Sequence, residues 1–261
     1  MFDDVASLTR RACDMAAGAC FPSAMVSSSY QEQNAGGEPY LMRCASGANK
    51  LILYLHTWSG DKNQVITMPE FLSIDRACII APNFNGPNNT ASALGSDDSV
   101  DRIHIAVQEM MYKTGLSRLY IVAASGGTLA AMNYMGKYPG KVHRASLWLP
   151  IYDLSLLYSG TSDASLKADM ISAIGSAPTG PDDPTYLARS PRSRLPNSYG
   201  PTEVFINVGL SDTTSPPIHG QQARDVMLGL DGYRVTYKEW SIGHVFDAAQ
   251  RSEAVKQLIL E

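Results

Sequence analysis

Short apolar runs alternate with longer amphipathic ones along most of the chain. Lys50-Leu-Ile-Leu-Tyr-Leu55 and Ala77-Cys-Ile-Ile-Ala81 are continuous apolar stretches, as expected of strands buried on both faces. Similar patterns predict strands over 118–123, 143–149, 203–208 and 233–240. Residues 27–47 read as strand and turn material around an Asn34-Ala-Gly-Gly37 loop. Helices are predicted at about 98–114, 127–138, 218–230 and 246–260, and over 2–19, where Asp3 and Asp4 favour the N-terminal turn. Strands alternating with helices imply an α/β fold: a doubly wound, mostly parallel sheet with helices on both faces. Ligands of such sheets bind beyond the carboxyl ends of the strands. The rhythm breaks over residues 152–200, where a short helix at 166–174 is followed by prolines at 178, 181, 184, 191 and 196. That stretch reads as an insertion over the ligand-binding edge of a single domain, 1–261, without internal repeats.

Composition narrows the field. The 261 residues suffice for one α/β domain, and 44% hydrophobic residues are ordinary for a globular core. A net charge of −4 without a long basic run argues against nucleic acid as a partner. No run of 18 apolar residues suggests a membrane span. The N-terminus carries acids where a signal peptide would carry basic charge, so a cytoplasmic location is expected unless a secretory leader has been trimmed. Cys13, Cys20, Cys44 and Cys78 match neither a zinc spacing nor C-x-x-C. Cys78 is expected as a buried thiol. A Cys13–Cys20 bridge is conceivable, but reduced cysteines are the expectation.

The chemistry concentrates in Leu119-Tyr-Ile-Val-Ala-Ala-Ser-Gly-Gly127. An apolar strand stops at Ser125-Gly-Gly and a helix-forming run follows at once. Such a turn lifts the serine hydroxyl out of the sheet and sets it beside a helix N-terminus, whose dipole and free N–H groups favour an oxyanion. Strand 203–208 ends in Gly209-Leu-Ser-Asp212 before a Pro-rich loop, and strand 233–240 ends in Ser241-Ile-Gly-His244 before the last helix. The order Ser125, Asp212, His244 is the Ser…Asp…His order of α/β hydrolases: nucleophile, orienting acid and base. The loop after strand 50–55, His56-Thr-Trp-Ser-Gly60, is placed to give the Trp58 N–H to an oxyanion hole, with Gly126 N–H as the second donor.

Several other residues invite a role. His56 reads first as a hydrogen-bonded histidine that shapes its loop, and with Thr57 it stands within reach of a substrate. Asn83 and Asn85, beside Asn88 and Asn89, are turn formers that could make polar substrate contacts. Asp153 follows a strand near the site and either holds the insertion or touches substrate. His219, close to Asp212 in sequence, suits the pocket rim better than the role of base. Gly95-Ser-Asp-Asp-Ser-Val-Asp101 has three acids in seven residues. Capping and dipole compensation at a helix start explain it better than a metal does, and neither a metal nor a cofactor is expected.

Together these segments resemble the α/β-hydrolase superfamily, in the single-domain form of its prolyl-oligopeptidase-like branch. The resemblance rests on Leu55-His-Thr-Trp-Ser-Gly-Asp61, Ala81-Pro-Asn-Phe-Asn-Gly-Pro-Asn-Asn89 and Gly95–Asp101. It continues through Tyr120–Gly127, Leu149-Pro-Ile-Tyr-Asp-Leu154, Tyr186-Leu-Ala-Arg-Ser-Pro191 and Gly209–Asp212. It spans the chain from about residue 48 to the end. It implies the α/β-hydrolase fold and a serine nucleophile, and leaves no room for the N-terminal propeller of the large members. Two positions depart from the pattern. Ala123 replaces the first glycine of G-x-S-x-G, and Ser211-Asp-Thr-Thr-Ser215 is shorter than the usual acid loop, which alters the pocket rim. The expected activity is hydrolysis of a small-molecule carboxylic ester, with a small acyl or sugar group, through an acyl-enzyme. A prolyl-oligopeptidase-like peptidase is the alternative, and a non-catalytic binding protein on the same fold the third possibility. The expected partner is the small-molecule substrate alone, without nucleic acid or membrane; a homodimer remains possible.

Overall fold

The structure, a computed structural model, describes residues 25–259. The helix expected over 2–19, with Cys13 and Cys20, lies outside the described residues. Eight strands form one sheet in the order β1-β2-β4-β3-β5-β6-β7-β8. They are β1 (Gln31–Ala35), β2 (Glu38–Cys44), β3 (Lys50–Leu55), β4 (Ala77–Pro82), β5 (Leu119–Ala124), β6 (Val142–Trp148), β7 (Thr202–Gly209) and β8 (Tyr233–Trp240). β1, β2 and β4 pair antiparallel, and every pairing from β4 through β3, β5, β6 and β7 to β8 is parallel. β3, β4 and β5 are buried along their whole length, which accounts for their unbroken apolar sequences.

Successive residues of the central strands feed two different cores, because side chains alternate across a strand. Leu51, Leu53, Leu55, Ile121 and Ala123 pack beneath α1 (Asp97–Thr114), α2 (Gly126–Lys137) and α7 (Ile218–Leu228). Ile52, Tyr54, Ile79, Val122 and Trp148 face α8 (Ala248–Ile259) and the 3₁₀ segment Pro69–Ser73. The acids at 97–101 do what capping chemistry requires. Ser96 caps α1 through Ser99 N–H, Asp98 pairs with Arg102 one turn on, and Lys137 neutralises Asp97 and Asp101.

Two expectations need correction. Residues 152–200 hold the short helix expected at 166–174, as α4 (Ala164–Ile174), but the remainder, prolines included, also forms helices: α3 (Leu154–Gly160), α5 (Pro184–Leu187) and α6 (Pro191–Arg194). Pro184 and Pro191 each stand in a first helical turn, where the missing N–H has no intrahelical partner to lose. Asp153, Asp163 and Asp183 are side-chain N-caps of α3, α4 and α5. The second correction concerns Cys78, expected as a free thiol. The antiparallel register sets Cys44 of β2 directly opposite Cys78 of β4, and the two form a disulfide.

Candidate active site

Ser125 sits where β5 turns into α2, with φ +50° and ψ −124°. A serine there is strained, since L-residues clash at positive φ; the conformation is held by Ser125 N–H donating to the Trp148 carbonyl at 2.9 Å. The two following glycines are required by close approach. A Cβ on Gly127 would meet the Leu55 carbonyl oxygen at 2.2 Å, and one on Gly126 would meet Trp58 N at 2.6 Å. Ala123, where the pattern has glycine, is fully buried in the core beneath α1 and α2, and its methyl packs without a clash. Gly127→Ala therefore pushes β3 and α2 apart. The expected result is roughly 1–3 kcal/mol lower stability, read as an earlier urea midpoint at unchanged slope; an unmoved midpoint would refute the close-approach account.

The base and acid come from the next loops along the sheet edge. Gly209 ends β7, and a Cβ there would lie 2.6 Å from the Gly243 carbonyl oxygen, so only glycine lets the His244 loop lie against the strand end. Asp212 is buried. Its Oδ1 accepts from the N–H groups of Thr214 and Ser215 at 2.9 and 2.8 Å, and its Oδ2 meets His244 Nδ1 at 2.8 Å. His244 Nε2 lies 2.9 Å from Ser125 Oγ. The three residues thus form one continuous relay.

The third part is the loop after β3. Gln64 holds it from below: its Oε1 accepts from Thr57 N–H, and its Nε2 donates to Thr57 Oγ1, both at 2.8 Å. Trp58 N–H donates to no described residue, and Gly126 N–H opens α2, where helices have no internal acceptor. Both N–H groups therefore have no acceptor among the described residues, and the two residues lie against one another beside Ser125.

The relay opens into a cavity of about 430 Å³ lined by Thr57, Trp58, Ser125, His244 and, from α4, Leu166 and Asp169. The segment 152–200 thus contributes one wall, with Asp163 beside it. These α4 acids were not anticipated from the sequence. Trp58 Nε1 donates to Asp169 Oδ2 at 2.9 Å, and Asn89 Nδ2 donates to the same oxygen at 2.9 Å, which fastens α4 to the loop. Asp163 had a legible signal as an N-cap before an amphipathic run, but nothing in the sequence says which cavity that cap faces.

Of the residues expected near substrate, Thr57 lines the cavity and five others do not. His56 is fully buried: its ring nitrogens face the carbonyls of Thr57 and Asn83, and it stacks on Phe84 at 3.9 Å. Burial pushes its imidazole below the usual histidine range, toward the neutral form. Asn83 Oδ1 accepts from Lys62 N–H, and Asn85 turns to Ser92 and Asp98. Asp153 caps α3, pairs with Arg192 and lines a separate cavity of about 800 Å³. That larger cavity holds no histidine–serine pair, so the smaller one is the candidate active site.

His219 is not on a rim either. It is fully buried, and its Nδ1 accepts from Tyr152 N–H at 3.2 Å. Burial pushes the imidazole down to about 4, against the pull of Asp153 and Asp212. The unfolded chain then binds one more proton than the folded one between about pH 6.5 and pH 4, so stability is full above 6.5 and falls as pH drops through that window. His219→Asn keeps an acceptor for Tyr152 N–H and cannot charge. Between pH 7 and pH 4.5 it should lose about 2–3 kcal/mol less than the parent in urea titrations; equal losses would disprove the neutral-histidine assignment.

No protein-family model matches the chain, and no curated protein does. Solved structures do. The acylaminoacyl peptidase of Pyrococcus horikoshii superposes with a TM-score of 0.66 at 13% identity, over 88% of this chain and 39% of that one. A puromycin-hydrolyzing peptidase of Mycobacterium tuberculosis gives 0.65 at 15% identity, over 87% and 38%. A post-proline cleaving enzyme from Rickettsia typhi gives 0.64 at 13%, over 88% and 36%. The chain therefore spans well under half the length of these proteins, and the likeness is one of fold. Sheet order, strand–serine–helix turn and these superpositions agree: the chain has the α/β-hydrolase fold.

Proposed function

We propose that the protein is a serine hydrolase that cleaves carboxylic esters through an acyl-enzyme. The observation that carries this reading is the relay from Asp212 through His244 to Ser125, at 2.8 and 2.9 Å. Ser125 Oγ attacks the ester carbonyl while His244 Nε2 takes its proton. The N–H groups of Trp58 and Gly126 receive the negative charge that develops on the carbonyl oxygen. His244 then returns the proton to the leaving alcohol as the C–O bond breaks. Water repeats the sequence on the acyl-enzyme, giving the acid and free Ser125. Asp212, desolvated and held by two loop amides, keeps the imidazole in the tautomer that can accept at Nε2.

Amide cleavage is the second reading, because the solved structures of like fold carry peptidase names. An amide leaving group is poorer than an alkoxide or phenoxide and needs the same relay to protonate it. A panel of p-nitrophenyl esters, aminoacyl anilides and acetylated sugars separates the two. Turnover of the esters with little of the anilides is the expected result, and the reverse preference would reassign the protein as a peptidase. No helix among the described residues is long and apolar enough to cross a membrane.

A further inference from the structure

Helix α4 divides its charges between two cavities. Asp163 at its N-cap and Asp169 on its second turn line the cavity that holds Ser125 and His244. Lys167, between them in sequence, lies over the Tyr158 ring and lines the other cavity. Among the described residues, no lysine or arginine lines the cavity of the relay. Its remaining walls mix the apolar Trp58, Leu149, Leu166 and Phe246 with the hydroxyls of Thr57, Ser59, Ser165 and Thr214.

Both carboxylates are held in place and still have an oxygen to offer. All of Asp163's hydrogen bonds from Ser165 and Leu166 end on Oδ1, and both of Asp169's, from Trp58 and Asn89, end on Oδ2. Asp163 Oδ2 and Asp169 Oδ1 accept from no described residue. Asp169 is also fixed to the indole of Trp58, which lines the same cavity as Ser125, so its position is set relative to the nucleophile. The Ser165 hydroxyl, with the amides of Ser165 and Leu166 and nearby His244, holds the Asp163 carboxyl below its usual range and therefore ionised at neutral pH.

We infer that Asp163 and Asp169 select esters or amides that carry a cationic group, an amine or a quaternary ammonium, within the same molecule as the scissile carbonyl. This rests on the serine-hydrolase reading and narrows its substrate class. A cation entering the cavity meets two carboxylates and no opposing lysine or arginine, while Trp58, Leu149, Leu166 and Phe246 offer apolar surface to the rest of the acyl or alcohol chain. A neutral isostere offers the two open carboxylate oxygens neither a donor nor a charge, and an anionic one is repelled. Aromatic Trp58 adds a face suited to an ammonium.

The test uses two matched pairs of esters on the full chain. On the acyl side, p-nitrophenyl 6-aminohexanoate is compared with p-nitrophenyl heptanoate, and the mono-p-nitrophenyl ester of adipic acid supplies the anionic arm. On the alcohol side, acetylcholine is compared with 3,3-dimethylbutyl acetate. The expected result is a kcat/KM at least tenfold higher for the cationic member of one pair, with the adipate the poorest acyl substrate. That preference should shrink as salt is raised, and collapse in the double variant Asp163→Asn, Asp169→Asn, mainly through KM of the cationic ester. Asparagine keeps an acceptor for the Trp58 indole, so the ratio within a pair reports charge rather than a displaced loop. Ratios near one in both pairs, or a preference that survives the double variant, overturn the inference while leaving the serine hydrolase intact. Turnover of every ester that persists in Ser125→Ala overturns the underlying reading instead, and the inference with it.

Discussion

Replacing Ser125 by alanine is expected to lower kcat for p-nitrophenyl acetate by about 10⁴–10⁶-fold, the range seen when a nucleophile is removed from a relay that acts as a unit. The structure says why the loss should be purely chemical. Alanine tolerates φ +50° no worse than serine does, and the backbone bonds of residue 125 to Trp148 and Thr128 do not involve the side chain. Only the hydrogen bond between Oγ and His244 Nε2 disappears, at a partly open site where a single bond contributes about 1 kcal/mol. Far-UV circular dichroism and the urea midpoint should therefore stay close to the parent. Residual activity above about a tenth of the parent would sink Ser125 as the nucleophile.

Asp212→Asn should cost about 10⁴-fold in kcat, again with the fold retained. The loop predetermines how asparagine sits. Thr214 and Ser215 point their N–H groups at Oδ1, so the amide carbonyl takes that place and the NH₂ turns to His244 Nδ1. Nδ1 must then accept, which puts the imidazole proton on Nε2, where it faces Ser125 Oγ and cannot receive the serine proton. Imidazole ¹⁵N shifts of the variant should show the Nε2–H tautomer beside the loss in rate. A loss of less than about tenfold would mean that Asp212 does not orient the base.

The parts of this fold that the sequence reveals are those governed by local periodicity and chain order. β3 and β4 are apolar at nearly every position because both faces are covered, and that pattern needs no tertiary knowledge to recognise. Ser125 stands out because a turn followed by two glycines has few other uses, and Asp212 and His244 because each directly follows a strand end. Burial and pairing across the sheet were not legible. Asn83 and Asn85 follow β4 on the correct edge, yet each turns to loop partners rather than the cavity. His56 and Asp153 take the structural roles also expected of them, shaping a loop and capping α3, and not the substrate contacts. His219 follows the acid loop in sequence, but α7 carries it into the interior. The helix expected at 166–174 is present as α4, but nothing local shows that Asp163 and Asp169 face the cavity. α5 and α6 were hidden because a run of five prolines reads as loop, whereas Pro184 and Pro191 start helices. The Cys44–Cys78 bond escaped because only the antiparallel register of β2 and β4 reveals it.

That bond links the stability of the domain to the redox poise of its surroundings. It joins residues 34 apart in sequence, and a crosslink closing a loop of that size lowers the entropy of the unfolded ensemble by an amount equivalent to about 4 kcal/mol. Against a typical total of about 5–15 kcal/mol for a native domain, this is a large share. It is available only where thiols stay oxidised, outside the cytosol of most cells. In a reducing compartment the same chain would keep its relay and lose much of its margin against unfolding. The two cysteines are fully buried, so reductants reach them only when the structure around β2 and β4 opens locally, and the lifetime of the crosslink follows how often it does.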